Sequence, residues 1–167
     1  MAELIEVGAG PAVEEVRALF LEYARSLDFN LCFQSFDSEL RDLPGPYGRP
    51  EGRLILCAWD GVSAGCIAMK KLEDDICEMK RLYVRPEFRG HQLGLKLTTH
   101  LINEGRRAGY TRMRLDTIRE TMQKAIELYQ SVGFKEIPPC YDNPLPQALY
   151  MELDLNDYSA PGDCNSY

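Results

Sequence analysis

The residues best suited to chemistry fall in one stretch, Val84-Arg85-Pro86-Glu87-Phe88-Arg89-Gly90-His91-Gln92-Leu93-Gly94. Pro86 ends a strand pattern and a helical pattern opens at about His91, so the stretch is a strand-to-helix turn. Gly90 and Gly94 let the backbone turn and come close to a ligand. The first amides of the helix have no intrahelical acceptors, and the helix dipole favours an anion beside them. Local charge agrees. Between Lys80 and Lys96, five basic residues (Lys80, Arg81, Arg85, Arg89 and Lys96) stand against Glu87 alone, in a chain of net charge −7. The chemistry implied is phosphate binding by main-chain groups. No Gly-Lys-Ser/Thr follows, so this is not a Walker loop, and the glycine spacing does not match the dinucleotide fingerprint.

Two carboxylates lie on the strands around this turn. By simple alternation Glu78 shares a strand face with Ile76, Leu82 and Val84. A carboxylate among apolar neighbours keeps a raised pKa, which suits general-base work. A bulge would change that parity, and an ion pair to Lys80 or Arg114 is the competing role. Asp116 is the second carboxylate. On its strand Met113, Leu115 and Thr117 face one side, and Arg112, Arg114 and Asp116 the other.

The elements that must position these groups follow from periodicity. Glu3 to Val7 reads as a strand, and Ala12 to Ser26 as a helix with Val13, Val16, Phe20, Tyr23 and Leu27 on one face. Asp28 to Arg53 reads as a loop or short helix, with loop chemistry in the proline- and glycine-rich stretch Leu43 to Pro50. Leu54–Trp59, Val62–Leu72 and Ile76–Val84 form an antiparallel meander, with a turn at Asp60-Gly61. A helix from His91 to Ala108, a strand from Thr111 to Thr117 and a helix from Thr121 to Val132 come next. Strands Phe134–Ile137 and Ala148–Leu155 close the pattern. The order predicts one mixed α/β domain over residues 1–155, helices on a central sheet, and a frayed tail over 156–167.

Composition narrows the function. The chain has 167 residues, 45% of them hydrophobic, enough for one domain with a real core. Its acidity disfavours nucleic acid and mildly favours a cationic partner. No apolar run approaches a membrane span, and the N-terminus does not read as a signal peptide. The six cysteines form no CxxC pair and several sit in apolar runs, as buried reduced thiols do. With two histidines there is no zinc-site pattern, so no metal is expected. A cytoplasmic protein is the expectation.

The stretch Glu78-Met79-Lys80-Arg81-Leu82-Tyr83-Val84-Arg85-Pro86, followed by Arg89-Gly90-His91-Gln92-Leu93-Gly94, resembles motif A of the GCN5-related N-acetyltransferase (GNAT) superfamily. Arg89 matches its first position and Gly94 its last. Gln92 stands where the family usually has glycine, a departure tolerable if Gln92 keeps an ordinary backbone conformation. Ala125-Ile126-Glu127-Leu128-Tyr129-Gln130-Ser131-Val132-Gly133-Phe134 resembles motif B, with Met122 where an asparagine is frequent. The two motifs stand in the family order, and the resemblance runs from about Cys57 to Leu155.

The resemblance implies a mostly antiparallel sheet splayed at the cofactor site, and an acetyl group moved from acetyl-coenzyme A to an amine. The cofactor contacts implied are Leu82, Tyr83 and Val84 on the pantetheine arm, Arg89, Gly90, His91, Gln92, Leu93 and Gly94 on the pyrophosphate, and Thr117 and Thr121. Glu78 falls on the frequent base position, eleven residues before Arg89, and Tyr129 on the frequent acid position. An alkyl amine of pKa about 10.4 is neutral in only about one molecule in 2,500 at pH 7, so a base is needed. A phenol of pKa about 10 can protonate a leaving thiolate of pKa about 8.5. The acceptor side would be built by Asp28–Arg53 and Pro138–Pro146, with Tyr47, Asp116, Tyr141 and Asn143 as substrate-binding candidates. A homodimer is common in the family. The other readings are a coenzyme A-binding module that senses without catalysing, and an unrelated phosphate-binding domain.

Overall fold

The computed structural model describes residues 1–27, 35–141, 145 and 147–159. Its strands are β1 (Ala2–Glu6), β2 (Arg53–Trp59), β3 (Val62–Glu73), β4 (Ile76–Val84), β5 (Arg112–Ile118), β6 (Lys135–Ile137) and β7 (Ala148–Asp154). They form one sheet in the order β1-β2-β3-β4-β5-β7-β6, antiparallel except for β4 beside β5. The helices are α1 (Pro11–Ser26), α2 (Phe36–Asp42), α3 (Leu93–Arg107) and α4 (Gln123–Ser131). This is the mixed α/β architecture that the order of patterns predicts.

Pro11 opens α1, where its fixed φ and missing N–H cost nothing. The helix buries Val13, Val16, Leu19 and Phe20, which pack with Leu54, Leu56, Cys66 and Ala68 on one sheet face. On the other face Leu93, Leu97, Leu101 and Ile102 of α3, with Ile126 and Tyr129 of α4, pack on Ile55, Ile67, Met69, Met113 and Leu115. Each strand therefore feeds two cores by alternation.

Register shifts at Cys57/Ala58, at Lys71/Glu73 and, most consequentially, within β4. Cys66 pairs with Tyr83, but Ala68 pairs with Lys80, so β4 spends one more residue than β3 between the two rungs. Arg81 sits in this bulge with φ +62°. Before it, Cys77 and Met79 join the α3–α4 core; after it, Leu82 and Val84 pack there and Tyr83 faces α1. Glu78 thus shares its face with Lys80 and Tyr83. The expected shared face with Leu82 and Val84 is not found, because the bulge reverses the parity. Gly65 lies opposite, where a Cβ would stand 2.5 Å from the Tyr83 carbonyl oxygen.

The segment after α1, expected as a loop or short helix, holds α2 and a short 3-10 turn at Gly45–Tyr47. The tail expected to fray from Asn156 still packs at Tyr158, which is 7% exposed in the α3–α4 core. Cys57, Cys66 and Cys77 are buried free thiols and Cys140 is exposed; Cys32 and Cys164 lie outside the described residues. No described helix is long and apolar enough to cross a membrane.

Candidate active site

The site begins where two parallel strands part. β4 and β5 pair only from Ile76–Arg112 to Glu78–Arg114. Beyond that rung they separate, and a slot of about 70 Å³ opens between Lys80–Leu82 and Leu115–Ile118. Tyr23 of α1 and Met122, Ala125 and Tyr129 of or beside α4 complete its wall. A wider groove of about 620 Å³ continues from it, sharing Tyr23, Leu82, Met122 and Ala125. Leu82, Tyr83, Val84, Arg89, Gly94 and Thr121 line the groove, which ends at the start of α3. The narrow part admits a chain and the wide part a larger group.

Several expected contacts therefore come together. Thr117 lines the slot, and Thr121 the groove. Thr117 Oγ1 also lies 3.1 Å from Met122 Sδ, a weak acceptor. Leu93 is 2% exposed, so only its amide is available, in the first turn of α3. No side chain caps that helix, which leaves its first amides to a ligand. His91 stacks on Trp59 with ring centroids 4.4 Å apart. Gly90 turns the chain at φ +95°, where a side chain would be strained.

Gln92 departs from expectation. Its φ is +59°, the left-handed region, rather than an ordinary conformation. A glycine would hold this geometry without the Cβ penalty that Gln92 carries.

The basic cluster is mostly neutralised by other elements. Arg81 donates to both carboxylate oxygens of Glu39, at 2.8 and 3.0 Å. Arg85 donates to Glu22 at 2.7 Å and to the Ser63 carbonyl at 2.7 Å. Lys80 Nζ is 3.5 Å from Glu78 Oε1. Arg89, whose Nε donates to the Val84 carbonyl at 3.0 Å, and exposed Lys96 are the cations of the cluster without a carboxylate partner among the described residues.

The two carboxylates occupy different places. Asp116 lines the slot. Glu78 stands on the last β4–β5 rung, 3% exposed, and is not among the slot-lining side chains. Its neighbours are Lys80 and Lys70, whose Nζ is 3.9 Å away, and not the apolar set expected. Burial pushes the Lys80 ammonium down, against the attraction of Glu78.

Tyr129 lines the slot from α4. Burial holds its phenol well above the ordinary value, with Tyr23 and Asp116 adding to the effect. Tyr141 stands beside Asp116; burial, then the Asp116 charge and a hydrogen bond to it, push its hydroxyl up. Tyr47 does not reach the slot. It is 1% exposed in the α1–α2 core, and its hydroxyl donates to Glu39 Oε1 at 2.8 Å. Asn143, with Asp142, lies outside the described residues.

Tyr23, Lys80 and Arg81 line the slot without having been singled out for it. Tyr23 read as one more apolar residue on the α1 stripe, although it is the one with a hydroxyl. Burial raises that hydroxyl to about 12. The signal for the other two was a Lys-Arg pair inside an apolar strand.

Comparison with known proteins agrees with this geometry. Residues 13–134 match the family model described as the acetyltransferase (GNAT) family. An uncharacterized N-acetyltransferase of Schizosaccharomyces pombe is 40% identical over 147 residues, 86% of this chain and 89% of the relative. One from Dictyostelium discoideum is 30% identical, covering 83% and 92%. An acetyltransferase structure from Streptococcus agalactiae superposes with a TM-score of 0.74 at 21% identity, covering 92% and 98% of the two chains. The Salmonella typhimurium protein yncA, solved with its cofactor acetyl-CoA, gives 0.63 at 21% identity, covering 96% and 99%. At these identities the structures speak to the fold.

Proposed function

We propose that this chain, which belongs to the acetyltransferase (GNAT) family, transfers an acetyl group from acetyl-coenzyme A to a primary amine of a small molecule or peptide. The observation that carries the reading is the parting of β4 and β5 into a slot that runs on to the uncapped start of α3.

The residues fit the donor. The groove end offers helix-start amides and Arg89 to phosphate groups. The edge of β4 turned toward the gap carries main-chain groups that an extended arm can pair with as an added strand. When bound, acetyl-coenzyme A supplies a thioester carbonyl for the amine to attack and a thiolate to expel.

The chain's own residues then have distinct tasks. Asp116, on the slot wall, takes the proton from the acceptor ammonium, directly or through one water. Its opposite number Glu78 keeps Lys80 charged and in place. Tyr129 keeps its proton because burial disfavours the phenolate, and it donates that proton toward the departing sulfur. The apolar walls, Leu82, Leu115 and Ala125 among them, exclude water that would hydrolyse the donor.

The test is a thiol-release assay with acetyl-CoA and a panel of amines, beside calorimetric titration of coenzyme A. Cofactor binding with release on one class of amine is expected. Absence of cofactor binding would overturn the reading.

A further inference from the structure

We propose that Trp59 and His91 are positioning residues for the donor: their stacked rings hold the Gly90–Gly94 turn in the shape that presents its main-chain amides to the pyrophosphate of acetyl-coenzyme A. The proposal rests on the acetyl-transfer reading and adds to it two side chains that line neither the slot nor the groove.

Three observations carry it. The first is how little main-chain bonding fixes the turn. Arg89 N–H donates to the Pro86 carbonyl at 3.2 Å, and Lys96 N–H to the Gln92 carbonyl at 3.0 Å. Between them, no amide from Gly90 to Leu95 finds a main-chain acceptor among the described residues. A run of such amides is what an anion needs. It is also a segment without a ladder of its own, so another contact must offset the entropy of ordering it.

The second observation is the backbone. Gly90 at φ +95° and Gln92 at φ +59° flank His91, which is not in the left-handed region. Alternation of this kind turns successive amides into one concavity, a shape suited to phosphate oxygens. Gln92 carries a Cβ penalty there, so the turn relaxes unless a contact outside it holds the shape.

The third is the contact itself. The His91 and Trp59 rings stack with centroids 4.4 Å apart and planes at 30°. Trp59 ends β2, which β3 separates from β4 in the sheet, and it packs against the α3–α4 core. The stack therefore ties the middle of the turn to a strand other than the one the turn leaves. Arg89 Nε on the Val84 carbonyl fixes the start of the turn and buried Leu93 its end; His91 is the tie between them. With the rings apart, the cofactor has to order the turn itself, and preorganisation lost in this way is read as weaker binding.

The experiment titrates coenzyme A by calorimetry into wild type, Trp59→Ala, His91→Ala, the double variant and Trp59→Phe, with urea denaturation to show that each is folded. His91 is exposed, so His91→Ala tests the stack without opening the core. Each alanine variant is expected to bind about three- to tenfold more weakly, the worth of one aromatic pair. The double variant is expected to bind no more weakly than the worse single one, because all three lose the same contact. Trp59→Phe keeps a ring against His91 and is expected to recover most of the affinity. Pantetheine, which lacks the phosphates, is titrated in competition and is expected to bind Trp59→Ala as it binds wild type. Losses that simply add, no recovery with phenylalanine, or an equal loss on pantetheine would overturn the proposal and leave acetyl transfer standing. Failure of wild type to bind coenzyme A would instead remove the reading beneath it.

Discussion

Arg81 on the β4 bulge and Glu39 on α2 form a two-pronged pair, Nε to Oε2 at 2.8 Å and Nη2 to Oε1 at 3.0 Å. Tyr47 donates to the same carboxylate. The pair ties α2 to the strand that opens the slot. Its side chains are 3% and 11% exposed, so removing one partner strands a charge. Glu39→Ala is expected to cost about 3–5 kcal/mol in urea denaturation. Glu39→Leu with Arg81→Leu is expected to cost less than Glu39→Leu alone, and a simple sum of the two single losses would dissolve the coupling.

In the proposed mechanism Asp116 is the base and Glu78 its support. Asp116→Asn is expected to lower kcat by about 10²–10⁴-fold, with coenzyme A affinity intact. Glu78→Gln is expected to act mainly on acceptor KM, through Lys80. The reverse ranking in kcat would assign the base to Glu78.

Tyr129→Phe is expected to slow turnover on the order of 10–100-fold and to leave coenzyme A titration unchanged. Burial favours the neutral phenol, so its proton is retained as pH rises past the usual tyrosine value of about 10. The kcat profile should therefore show no fall at pH 10 that Tyr129→Phe abolishes.

Gln92 holds φ +59° at the start of α3. Gln92→Gly removes the Cβ strain of about 1–2 kcal/mol and loosens the unfolded chain by less. A gain of about 0.5 kcal/mol in denaturation is expected, with coenzyme A bound at least as tightly. Gln92→Val should lose stability. Equal stability of the two variants would mean that the conformation relaxes.

A second buried pair lies far from the slot. Arg53 Nε donates to Glu104 Oε2 at 3.0 Å, with Glu6 and Arg49 beside them. For Glu104 burial alone would raise the pKa, but hydrogen bonds from Arg53 and Arg107 outweigh it and the net shift is downward; Glu6 is lowered too, first by Arg49. A lowered folded pKa contributes stability that is full above the unfolded value near 4.5 and is lost as pH falls through the folded one. Denaturation midpoints should drop below about pH 4.5. Glu104→Gln should be less stable at pH 7 and should flatten that drop.

The sequence by itself determined the elements, their order and the strand-to-helix turn proposed to receive phosphate. Those features are local. The stripes of α1 and α3, the Asp60-Gly61 turn and the glycine before α3 act through near neighbours, so spacing along the chain reveals them. The same holds for the alternation of β5, which puts Asp116 on one face and Met113 on the other. Tertiary structure decided which charges are available and which face each residue takes. Arg81 is claimed by a carboxylate 42 residues away and Arg85 by one 63 residues away, and no local pattern announces such partners. The bulge at Arg81 arises from register against β3, and it moves Leu82 and Val84 off the face of Glu78. Side-chain period in a strand is two, so one extra residue reverses every position beyond it. That reversal, with the parting of β4 from β5, turns a Lys-Arg pair into one wall of a slot and Asp116 into the other.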